Sequence, residues 1–89
     1  MKRKEFLEQL EKHERKDLII EVAGEIIQKA TLEKIIYEMK EDVLYIQNSK
    51  NSDFVVINLN TIREIQEDSE SITLWLEDKK ETKIKISVI

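Results

Sequence analysis

The chain has 89 residues and a mass of 10.6 kDa, enough for one domain over residues 1–89. It carries 19 acids against 15 bases, a net charge of −4, with 38% of its residues charged and 40% apolar. No cysteine, no proline, one glycine (Gly24) and one histidine (His13) exclude a disulfide scaffold, a cysteine zinc or iron–sulfur site, a P-loop, a dinucleotide fingerprint and a His-pair mechanism, so no cofactor is expected.

Residues 2–16 read as a helix. Phe6, Leu7 and Leu10 form one narrow apolar stripe, and Glu8–Lys12 and Glu11–Arg15 are i,i+4 pairs in the favourable orientation. A helix of about 15 residues is marginal alone, so this one must dock on something. From Asp17 the period changes to two. Leu18, Ile20, Val22, Gly24 and Ile26 alternate with Glu21 and Glu25, which is a strand with a bulge or bend at the glycine. Residues 25–39 give no single helical stripe and are expected as strand, turn near 29–31, strand, with a short buried helix as the alternative.

Residues 43–47 and 54–59 read as strands with two apolar faces, joined by a polar turn at 48–53. Asn60 and Thr61 break the second strand, and Ile62 and Ile65 re-engage the core. A turn at 67–70 leads into a hairpin over 72–88. There Ile72, Leu74, Leu76, Ile84, Ile86 and Val88 alternate with polar neighbours, and Asp78, Lys79, Lys80 and Glu81 form the turn. The expected fold is α+β and mainly β: an N-terminal helix followed by a five- to six-strand antiparallel meander, closed as a small barrel or strongly bent sheet. The 19 Val and Ile residues fit it.

The charge is uneven. Residues 1–16 hold six bases and four acids, while residues 17–89 hold nine and fifteen, which disfavours non-specific contact with nucleic-acid phosphates. No apolar run spans a membrane, and Glu5, Glu8 and Glu11 interrupt any signal-peptide core after Lys2-Arg3-Lys4. A cytoplasmic protein is expected. Heavy use of Ile, Lys and Glu suggests an AT-rich source such as a bacterium or its phage.

Phe6-Leu7-x-x-Leu10 on the helix, Leu18-x-Ile20-x-Val22-x-Gly24 on the first strand, residues 42–46 as a middle strand and Ile62-x-x-Ile65 as a short closing strand together resemble the Sm-like family, most of all its Hfq-type bacterial RNA-chaperone branch. The resemblance implies a small barrel that assembles with copies of itself and binds RNA. It spans residues 4–65. The 24–42 segment is longer than the family pattern, the second glycine is absent, and a hairpin is added at 72–88. The uridine-binding signature has no counterpart near 58–65, so no RNA-binding residue carries over.

Two neighbouring strands with two apolar faces are more than one short helix covers. Leu44, Ile46, Val55 and Ile57 are therefore expected at a contact with a second copy of the chain. Trp75 stands opposite the buried face of its strand. With Lys83 and Lys85 on the partner strand it forms a candidate binding patch for a protein or a nucleic-acid strand. Glu67, Asp68 and Glu70 form an acidic turn suited to docking a basic partner, near Glu64 and Glu77; their spacing fits no calcium loop, and no metal is expected. His13 reads as an exposed helical histidine, and Ser49, Ser52, Ser69 and Ser71 as turn residues rather than nucleophiles. Tyr37 and Tyr45 read as barrel or interface residues. The expected function is a non-catalytic interaction module that self-associates and docks a protein partner. A nucleic-acid-binding small barrel and a small acidic phage or regulatory inhibitor are the alternatives, and catalysis is not expected.

Overall fold

In the computed structural model, which describes residues 2–24, 26–77 and 81–89, the apolar stripe near the N-terminus becomes helix α1 (Arg3–Lys12). Glu5 in its first turn and Lys12 in its last complement the helix dipole. Phe6 and Leu10 are fully buried, and Leu7 packs beside them. The helix is shorter than the expected 2–16. Arg15 adopts a left-handed backbone (φ 68°), and its N–H leaves the helical pattern to bond the Ile35 carbonyl at 2.8 Å. The Ile35 N–H in turn donates to the Lys16 carbonyl. These crossed bonds turn the chain into the first strand.

Eight antiparallel strands follow: β1 (Leu18–Ala23), β2 (Ile27–Leu32), β3 (Ile36–Lys40), β4 (Val43–Gln47), β5 (Phe54–Asn58), β6 (Ile62–Glu67), β7 (Ser71–Leu76) and β8 (Lys83–Val88). They form a five-stranded sheet in the order β2-β1-β8-β7-β6 and a three-stranded sheet in the order β3-β4-β5. The α+β, mainly β expectation holds. The strand count is eight rather than five or six, and the sheets do not close into a barrel. Nor is the path a simple meander, because β8 returns to pair with β1 along its whole length, Leu18 opposite Val88 through Ala23 opposite Lys83.

One extra strand, β6, forms where Ile62 and Ile65 re-engage the core, and another, β2, comes from two turns that sit elsewhere than expected. Gly24 lies in the β1–β2 connection, outside the strand, so the first apolar run stops at Ala23. The next turn falls at 33–35 rather than 29–31. Lys34 takes a left-handed backbone (φ 47°) and its N–H is held by the Asp17 carboxylate at 2.9 Å, while Ile35 is fully buried. The 48–53 turn stands as expected. Asn48 is buried at its start, where its side-chain oxygen accepts the Lys50 N–H and its own N–H donates to the Asp53 carbonyl. A short 3₁₀ turn (Leu59–Thr61) carries the chain from the small sheet to β6. For the 78–81 turn, residues 78–80 lie outside the described residues.

The inner faces of the two sheets and α1 share one core. Leu18, Ile20, Ile72, Leu74, Ile84 and Ile86 come from the large sheet, and Leu44, Ile46 and Ile57 from the small one. Leu32, the last residue of β2, and Ile35 and Leu59, at the connections, join the same cluster. Arg3 bonds the Asp42 carboxylate at 2.7 Å, which ties the start of α1 to the β3–β4 turn. Among the described residues no helix is long and apolar enough to cross a membrane.

Candidate interaction surfaces

The outward face of the large sheet is laid out by its register. Trp75 stands opposite Lys83 on β8 and Glu64 on β6, and Thr73 stands opposite Lys85 and Gln66. The Lys83 ammonium lies 5.1 Å from the centre of the Trp75 ring, a cation–π contact. The ring is half-buried, and its Nε1 is shielded without a hydrogen-bond partner among the described residues. Around it lies an open trough of about 890 Å³ reached by Trp75, Lys83, Lys85, Glu67 and Asp68. The structure therefore brings the patch of Trp75, Lys83 and Lys85 together with Glu67 and Asp68 of the acidic turn.

Glu70 is separated from them. It lines a second cleft of about 450 Å³ between α1 and the β6–β7 turn, with Phe6, Leu10, His13 and Ile86. Glu67 and Asp68 border both hollows. His13 is half-buried there, and its Nδ1 has no partner among the described residues. Burial first, then the charges of Lys16 and Lys12, hold its imidazole below the usual pKa and favour the neutral ring.

Sequence reasoning missed Glu21. It sits on β1 directly opposite Lys29 on one side and Lys85 on the other, so that row of the sheet alternates in sign. The signal was present in the alternation of β1, but register alone reveals the pairing. With Glu21 and Glu5 also lining the trough, its chemistry is mixed rather than basic.

On the small sheet, Leu44, Ile46 and Ile57 are at most 1% exposed, and Val55 is half-buried against the same core. Leu44, Ile46 and Ile57 lie inside the subunit, so they are not the exposed contact face expected of them, and Val55 is turned the same way. The pleat explains the reversal. Each strand does carry two apolar faces, and the face holding these residues is the one turned to the core. The other face is laid out in three cross-strand rows: Ile36, Gln47 and Phe54; Glu38, Tyr45 and Val56; Lys40, Val43 and Asn58. There Phe54 is 58% exposed, Val56 47% and Ile36 46%, with Val43 and Tyr45 half-buried between them. No described element covers this face, and β3 and β5 are both open edges.

Among the described residues no group of three or more His, Asp or Glu side chains converges as a metal site. No protein-family model, no curated protein and no solved structure matches the chain.

Proposed function

We propose that the chain is a non-catalytic interaction module that self-associates through the β5 side of its small sheet and docks a protein partner at the Trp75 trough. The exposed Phe54 and Val56 carry the self-association reading. Large apolar side chains grouped on one open face are what an interface covers. The surface area supports it. A compact monomer of 10.6 kDa exposes roughly 5,500 Å², and this chain exposes 6139 Å². Its radius of gyration, 12.1 Å, is that of an ordinary compact chain of this length.

At the trough, a tryptophan flanked by Lys83 and Lys85 on one side and Glu67 and Asp68 on the other suits a protein segment of mixed charge. Glu5 and Glu21 in the same hollow repel a phosphate backbone, which disfavours a nucleic-acid strand. The reading takes the setting to be the cytoplasm.

Light scattering at micromolar concentration tests self-association. The expected mass is a multiple of 10.6 kDa that falls to 10.6 kDa in Phe54→Lys. A wild-type chain that stays at 10.6 kDa across that range contradicts the reading.

A further inference from the structure

Among the described residues four strands present an open edge, and three of them carry charge. β6 bears Arg63, Glu64 and Glu67 and a register shift between Ile62 and Glu64. β3 bears Glu38 and Lys40, and β2 bears Lys29 near its middle. Charges and bulges of this kind keep sheet edges from pairing with other chains. β5, Phe54-Val55-Val56-Ile57-Asn58, has no charge, and its pairing with β4 runs without a shift.

The ladder shows which backbone groups that edge offers. At one end the Asn48 N–H donates to the Asp53 carbonyl, and at the other the Leu59 N–H donates to the Asp42 carbonyl. Bonded and non-bonded pairs alternate in an antiparallel ladder, so Val55 and Ile57 bond to β4. Phe54, Val56 and Asn58 then turn their N–H and C=O groups outward. The Asn58 carbonyl already accepts the Thr61 hydroxyl at 2.7 Å and keeps its second lone pair.

We infer that β5 pairs antiparallel with β5 of a second copy, Val56 opposite the partner's Val56, fusing two three-stranded sheets into one of six strands. This rests on the self-association reading and names its geometry. The register puts Phe54 opposite the partner's Asn58, so that all three outward-facing residues bond across the two-fold axis. It also sets Val55 beside the partner's Ile57, which continues the apolar inner face. A strand meets its own copy only in pairs fixed by symmetry, and a charge near its middle then lies close to the same charge. Full overlap of β3 with itself would oppose Glu38 to Glu38, a like-charge pair. β5 alone among the open edges escapes this, and it offers no charge by which to select a different protein.

The chain has no cysteine, so Val56→Cys introduces a single thiol. Directly opposite bonded residues are about 5.5 Å apart between Cα atoms, within disulfide reach. Mild oxidation is expected to convert Val56→Cys largely to a disulfide-linked dimer, and to leave Lys29→Cys on the β2 edge without a disulfide link. Val56→Pro removes an N–H that the β4 ladder does not use. It is expected to keep the wild-type circular dichroism spectrum and run at 10.6 kDa, as is Val56→Lys should the proline variant fail to fold, whereas Ile36→Lys on the far edge stays associated. Cross-linking of Val56→Cys no greater than that of Lys29→Cys would overturn the pairing. So would Val56→Pro or Val56→Lys remaining folded and associated. Either result with an associated wild type leaves self-association standing and removes only the β5 edge; a wild type at 10.6 kDa removes both.

Discussion

Glu41 and Asp42 together form the two-residue turn between β3 and β4, and each bears on stability differently. Glu41 holds a left-handed backbone (φ 55°) at a position where glycine pays no steric penalty. Glu41→Gly is therefore expected to raise stability by about 1 kcal/mol, read as a higher midpoint in urea unfolding. An unchanged or lower midpoint would contradict the strain. Asp42 accepts hydrogen bonds from Arg3 at 2.7 Å and Asn60 at 3.0 Å, and these hold its carboxyl below the usual pKa, with the Arg3 charge adding to them. A depressed folded-state pKa contributes stability that is complete above the unfolded-state value and lost as pH falls through the folded one. The wild type should thus lose more stability than Asp42→Asn between neutral and acid pH. Parallel pH profiles would show that the Arg3–Asp42 link contributes nothing. None of this was legible in the sequence, because a positive φ at a glutamate and a bond across 39 residues leave no local pattern.

Among the elements, α1 depends most on tertiary packing. Ten residues are too few for a stable isolated helix, and the side chains that bury it are Phe6 and Leu10. Phe6→Ala should cost about 3–5 kcal/mol. Each kcal/mol lowers Tm by about 4–8 °C in a domain of this size, so thermal unfolding reads the loss directly. A shift below 4 °C would mean that the helix is not part of the cooperative core. The apolar stripe made α1 legible, and period-two alternation made β7 and β8 legible nearly to the residue. The 25–39 region was harder. β2 is exposed from Ile27 to Thr31, so no buried face imprinted an alternation on it. Its flanking turn is set by the left-handed Lys34, whose N–H is held by Asp17, seventeen residues back.

For the whole molecule, the excess of apolar strand surface was readable in residues 43–47 and 54–59, but which face the excess occupies was not. The sheet pleat decides that, and it turned Leu44, Ile46 and Ile57 inward while leaving Phe54 and Val56 outside. The Trp75 patch was readable because alternation in a hairpin with one wet face places Trp75, Lys83 and Lys85 on the same side. Of its acidic half, Glu67 and Asp68 were readable in the turn, while Glu21 and Glu5 are brought in from β1 and α1 by the fold. The 72–88 hairpin, an addition to the Sm-like pattern at the sequence level, is integral here, since β8 is the central strand of the large sheet. Sedimentation equilibrium over a concentration series tests the central claim most directly. The account predicts a reversible mass above 10.6 kDa that Phe54→Lys abolishes; an ideal 10.6 kDa species at every concentration contradicts it.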